Sequence, residues 1–161
     1  MLTPQDLPEA FELDGSFRDL YVLDTTVDDW KALFNLLRSR RAFSHQLFIN
    51  GEPAAIPQNP DPGFPDSPSL QSGNVGWSLS IDLDGLQLAA HFFSPEQIEF
   101  NLDPKQLNAE TFVELLNFMA SLGRALKREV LLTPENREHA PIAKYDPRQD
   151  SITKVPATQQ N

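Results

Sequence analysis

The sequence predicts an α+β fold of two layers, in which one mostly antiparallel sheet of about five to seven strands packs against two α-helices. Three observations predict it. Apolar residues alternate through 77–92 on both sides of Asp84-Gly85, the pattern of a β-hairpin. Two segments, after Thr26 and after Asn108, repeat apolar residues at three- and four-residue steps, the pattern of helices with one buried stripe. The element order β-α-β, a long loop, β-β-β-α-β with one further closing strand runs strands together with only two helices, which disfavours a doubly wound parallel sheet. Both helices then cover the apolar face, and the acidic face of the central hairpin is left toward water.

The chain has 161 residues, of which 40% are hydrophobic, 22% charged and 11 are Phe. That is the length of one ordinary domain with enough apolar side chains for its own core, so residues 1–161 read as a single domain with flexible termini. Met1 to Asp14 holds Asp6, Glu9, Glu12 and Asp14, with no Lys, Arg or apolar run, which does not suit a secretory signal. No segment approaches the twenty or so apolar residues of a membrane-spanning helix. The lack of Cys excludes disulfides and thiolate chemistry and agrees with a reducing compartment, so a cytoplasmic location is expected.

Taken in order, the first strand is expected at Phe17–Leu23. Thr26 is placed to cap a helix with Asp29 reaching back three residues later, and Val27, Trp30, Leu33, Phe34 and Leu37 make its stripe. A strand at His45–Ile49 leads into an Asn50-Gly51 turn. From Pro53 to Pro68, 6 of the 14 prolines fall within a short polar stretch, so a Pro-rich surface loop is expected at 53–74.

In the hairpin, an Asp84-Gly85 type I′ turn sets Leu83 against Leu86, Ile81 against Leu88, Leu79 against Ala90 and Trp77 against Phe92. The opposite face then carries Ser78, Ser80, Asp82, Gln87, Ala89 and His91. After a turn at Ser94-Pro95-Glu96-Gln97, a third strand buries Ile98, Phe100 and Leu102 and presents Glu99, Asn101 and Asp103. The second helix follows Asn108, its stripe being Phe112, Leu115, Leu116, Met119, Leu122 and Leu126. Gly123 within it costs about 1 kcal/mol relative to Ala and so points to a close helix contact there. Val130–Thr133 follows as a strand, and Ile142–Tyr145 with Ser151–Val155 form a closing hairpin that Pro141 and Pro156 confine to an edge.

Chemistry is sparse. Asp82-Leu83-Asp84-Gly85 superficially resembles the start of a calcium loop, but the sixth and twelfth positions are Gln87 and Phe93 where Gly and Glu are required. His45, His91 and His139 show no HxH, HxxxH or HExxH spacing, so no metal site is expected. His91 opposes Ser78 on the face that holds Ser80 and Asp82, the residue types of a hydrolytic triad, but a flat strand lacks the sharp turn and oxyanion donors such catalysis uses. The polar Thr133–His139 segment after a strand is a place where functional loops sit. Glycine cradles for nucleotides (GxGxxG, GxxxxGK[ST]) and the GxSxG elbow are absent, so no catalytic residue and no cofactor is expected.

Charge carries the functional expectation. Thirteen Lys and Arg against 23 Asp and Glu give −10, which disfavours nucleic acid as a partner. Residues 46–122 alone hold 10 acids and 1 base. The basic clusters Lys31, Arg38, Arg40, Arg41 and Arg124, Lys127, Arg128 fall mainly at helix ends, where the macrodipole favours cations. The sequence therefore reads as a non-enzymatic acidic module that docks a basic protein partner, such as a toxin or nuclease, through Asp82, Asp84, Glu99, Asp103 and His91. A bacterial toxin-neutralising, immunity-type protein is the most concrete form of that expectation. The alternative is a small enzyme or ligand-binding domain with a pocket near His91 or the 133–139 loop.

Overall fold

The computed structural model describes residues 1–40, 43–58, 76–91 and 95–156. Among them, nine strands form one sheet: β1 (Arg18–Leu23), β2 (Ser44–Ile49), β3 (Glu52–Ala54), β4 (Trp77–Asp82), β5 (Gln87–His91), β6 (Gln97–Leu102), β7 (Val130–Pro134), β8 (Ala143–Asp146) and β9 (Ser151–Lys154). Every neighbouring pair is antiparallel, and the spatial order is β3-β2-β4-β5-β6-β1-β7-β8-β9. Three helices accompany it, a single-turn α1 (Pro8–Phe11) and the longer α2 (Val27–Ser39) and α3 (Ala109–Leu126).

The turn chemistry sets the register as expected. Asp84 and Gly85 have φ of 55° and 108°, the two positive values a type I′ turn requires, and Ile81 pairs with Leu88, Leu79 with Ala90 and Ser78 with His91. The expected Trp77–Phe92 pair and part of the 94–97 turn lie outside the described residues, as does most of the Pro-rich segment.

Alternation then sorts the side chains. Leu20, Val22, Leu47, Leu79, Ile81, Leu88, Ala90, Ile98, Phe100, Val130, Leu132 and Tyr145 point to one face and join the stripes of α2 and α3 in a single buried cluster. Phe118 of α3 is its hinge point, with edge-to-face ring contacts to Phe43 at 5.3 Å and Phe100 at 5.7 Å. Each Leu or Phe so buried contributes about 1.5–3 kcal/mol relative to exposure, which is what holds the helix layer on the sheet.

At the start of α2 Asp29 reaches back as expected, but the Thr26 hydroxyl donates to that carboxylate at 3.3 Å instead of capping the helix N–H groups, whereas Asn108 caps α3 directly. Asp29 Oδ2 accepts the Thr26 N–H at 2.8 Å and also an Arg128 Nε–H at 2.9 Å, tying the start of α2 to the residues after α3. Asn108 Oδ1 accepts from the N–H groups of Glu110 and Thr111 at 2.9 and 3.0 Å. α3 closes on Lys127 in the left-handed conformation, φ 56°. Gly123 is buried, and a Cβ there would stand 2.1 Å from Tyr145 Cδ1, so the missing side chain lets α3 rest on the β8 ring.

The sheet has nine strands where five to seven were expected, for two reasons. Asn50-Gly51, with φ of 53° and 80°, folds the chain straight back, so Glu52–Ala54 pairs with β2 inside the stretch read as the start of the loop. Pro53 is tolerated there because β3 is an edge strand and needs no outward N–H. Both members of the closing hairpin also form, as β8 and β9. The third helix is α1, too short for a periodicity signal. It is held by Arg18, whose side chain is 2% exposed. Arg18 Nε donates to Glu9 O at 3.0 Å, Nη2 to Glu12 O at 2.7 Å and Nη1 to Phe17 O at 2.9 Å, so one guanidinium gathers the carbonyls of the segment before β1. Leu7 and Ala10 are fully buried as a result.

Candidate functional site

The face of the sheet opposite the helices is where the charged strand residues lie. Across its middle run Gln46, Ser80, Ala89, Asn101, Asp19 and Thr133, joined in register from β2 to β7. Asp82, His91 and Glu99 share that face by alternation. Asp82 and His91 are exposed, and Glu99 is half-buried.

The five residues expected to bind a partner fall into two groups rather than one. Asp82, Asp84 and Asp103 stand toward the tip of the β4–β5 hairpin, where each already serves the local backbone or turn. Asp82 Oδ1 accepts the Gly85 N–H at 2.9 Å, Asp84 supplies the first turn position, and Asp103 Oδ1 accepts the Lys105 N–H at 2.9 Å. His91 and Glu99 lie toward the other end of the same strands, with His91 opposite Ser78. Four residues of strand separate the Asp82 and Ser78 rows, about 14 Å.

Glu99 belongs to a constellation that the sequence reading missed. It pairs across the ladder with Tyr21, whose hydroxyl lies 3.1 Å from Glu99 Oε1 and 3.2 Å from Asp19 Oδ2. Gln97 Nε2 donates to Glu99 Oε2 at 3.5 Å. The turn after β7 folds over this strip, so that the Asn136 N–H donates to Asp19 Oδ2 at 2.6 Å and Glu135 stands close by. Asp19 and Tyr21 are therefore 1% and 2% exposed although no helix covers them.

Electrostatics follow from that burial. Loss of hydration, reinforced by the charges of Glu99 and Glu135 against the Asn136 and Tyr21 hydrogen bonds, pushes the Asp19 carboxyl up to about 6. Burial, with Asp19 and Glu99 adding negative charge, raises Tyr21 well above the usual phenol range, so it remains a protonated donor. An i, i+2 pair of Asp and Tyr on an apolar strand was the available signal for this strip. What buries it comes from residues over a hundred positions away.

Two surface hollows lie elsewhere. One, of about 460 Å³, is lined by Leu13, Phe17, Asp103 and Lys105, and another, of about 410 Å³, by Arg38, His45, Gln46 and Ile56. Neither includes His91 or a residue of the 133–139 segment. Among the described residues no group of three or more His, Asp or Glu is placed to hold a metal ion, and no helix is long and apolar enough to cross a membrane.

Comparison with known proteins brings no match: no family model, no curated protein and no solved structure shows significant similarity to the chain.

Proposed function

We propose that the protein is a non-enzymatic binding module whose helix-free sheet face docks a basic protein surface, with a toxin-neutralising, immunity-type role as its most concrete form. The observation that carries this reading is the one-sided layering: α2 and α3 pack on one face, and the other presents Asp82, Glu99 and His91 among Ser78, Ser80 and Gln87. The surplus of acids over bases in residues 46–122 supports it, because a partner of opposite sign is steered toward such a surface before contact. The partner is one with Lys and Arg gathered on a broad, shallow patch, as on a nuclease that itself holds phosphates.

The test replaces Asp82, Asp84 and Asp103 by Asn and Glu99 by Gln in one chain. Asn suits both the turn and the cap, so the fold is kept while four charges go. Affinity for the partner captured from the native host is expected to fall by about tenfold or more at low salt and to lose much of its salt dependence. Affinity unchanged at low salt would reject this face as the docking surface.

A second reading has one specific observation behind it. A carboxyl whose pKa is pushed up to about 6 lies beneath the turn at Glu135 and Asn136, in the range useful for proton transfer. That favours a small ligand-binding or catalytic domain using the 133–139 loop. Under it, Asp19→Asn would abolish turnover or ligand binding and leave capture of a basic protein intact.

A further inference from the structure

The Asp19, Tyr21 and Glu99 oxygens form a chain with too few hydrogens. Tyr21 Oη is within hydrogen-bond reach of both Asp19 Oδ2 and Glu99 Oε1, but a phenol has one proton and can donate to one of them. With both carboxylates ionised, the other contact would set two oxygens about 3 Å apart with no hydrogen between them, among a buried Asp19, a buried Tyr21 and a half-buried Glu99. A proton on one carboxyl completes the chain, since the acid then donates to the phenol oxygen and the phenol donates to the remaining carboxylate.

We propose that Asp19, Tyr21 and Glu99 jointly hold one proton beyond the phenol's own, and that losing it loosens the Glu135–Asn136 turn, making the strip a proton-operated latch.

The groups around Asp19 show why release acts on the turn. From β1 it meets Tyr21, from β6 Glu99 and the neutral Asn101 opposite, and from the segment after β7 Glu135 and the Asn136 N–H, with Thr133 across the ladder. The charged groups around Asp19 are carboxylates, whereas Glu99 also has the Gln97 amide at 3.5 Å and, from β5, the titratable His91 toward the same end of this face. Lys144, on β8, is engaged with Glu129 at 3.4 Å. Once the shared proton leaves, Asp19 and Glu99 are both anionic, Glu135 adds a third charge, and the phenol satisfies only one of the pair. Hydration is the available relief, and water enters by lifting the turn whose N–H lies on Asp19. Opening returns the carboxyl toward its ordinary value, so the open form is favoured as pH rises, by the usual linkage of ionisation to conformation.

The experiment is a carboxyl carbon NMR titration from pH 3 to 9 on the intact protein, with amide hydrogen exchange at Asn136. The Asp19 carboxyl is expected to titrate near pH 6. Exchange at Asn136 should rise beyond the ordinary base-catalysed trend through the same interval, by at most about a hundredfold for a shift from 3.8 to about 6. Glu99→Gln should move the Asp19 midpoint down and flatten the excess exchange, because the amide donates where a second acid was needed. An Asp19 carboxyl that titrates below pH 5, or an Asn136 exchange rate that follows only the base-catalysed trend, overturns the proposal. The wild-type measurements decide this alone if the variant does not fold.

Discussion

Gly123→Ala isolates a single packing contact. The added methyl carbon would stand 2.1 Å from Tyr145 Cδ1 and 2.3 Å from Cε1, while carbons in contact sit about 3.5–4.0 Å apart. Ring or helix must therefore retreat by roughly 1.4 Å. The ring has little freedom to do so: Tyr145 is 1% exposed, its hydroxyl donates to Asp150 Oδ1 at 2.7 Å, and Arg124 of α3 donates to the same oxygen at 2.6 Å. Overpacking of this kind costs about 1–3 kcal/mol, and Ala recovers about 1 kcal/mol of helix propensity over Gly. An overlap of roughly 1.4 Å against a pinned ring belongs at the upper end of that range, so the net expectation is a loss of about 2 kcal/mol, read in urea unfolding as a lower midpoint at unchanged slope. In a Tyr145→Ala background, kept folded with sucrose, the same substitution should change sign and stabilise by about 0.5–1 kcal/mol. A Gly123→Ala protein at least as stable as its parent with Tyr145 in place would refute the argument that glycine is there for the ring.

Arg18→Met should release the segment before β1, because four backbone carbonyls, of Glu9, Glu12, Ser16 and Phe17, lose a charged donor. A loss of about 3 kcal/mol or more is expected, with new protease cleavage between residues 7 and 17, whereas intact resistance would show that apolar packing alone holds the segment. Asn108→Ala removes two bonds at the start of α3 and should cost about 1–2 kcal/mol, measured by thermal unfolding. Stability should also depend on pH in two opposing ways. Asp14, lowered to about 2 by its Ser16 hydrogen bonds, supports the fold above its ordinary value, and that support is lost as pH falls from about 4 toward 2. Asp19 is raised to about 6, so its contribution is present at low pH and is lost as pH climbs from about 4 through 6. Urea midpoints should therefore peak near pH 4, and Asp19→Asn should remove the decline on the alkaline side.

The sequence was most legible where local chemistry and tertiary demand coincide. Asp84-Gly85 fixed a register that pairs apolar with apolar on the buried face, and Thr26 and Asn108 marked both long helices because a capping residue advertises itself next to a periodic stripe. Gly123 announced a close approach, although its neighbour is a strand aromatic rather than a second helix. Less legible was everything that depends on what folds over a segment. Pro53 read as loop because its tolerance on an outer strand depends on where that strand lies. α1 has one turn and no period, and its anchor is the side chain of a residue in the following strand. The Asp19–Tyr21–Glu99 strip eluded the sequence for the same reason, since alternation places these residues on the helix-free face and only the returning turn at Glu135 and Asn136 takes them out of water.

The position of β1 bears on how the chain acquires its shape. Leu23 meets Gln97 on one side and Arg18 meets Pro134 on the other, separations of 74 and 116 residues. The first of these nine strands in chain order is thus the one that must wait for partners on both flanks, while β4 and β5 can pair within moments of synthesis. Loop closure over such spans delays assembly, so an unpartnered Leu20–Leu23 segment is the stretch a nascent chain has most need to shield.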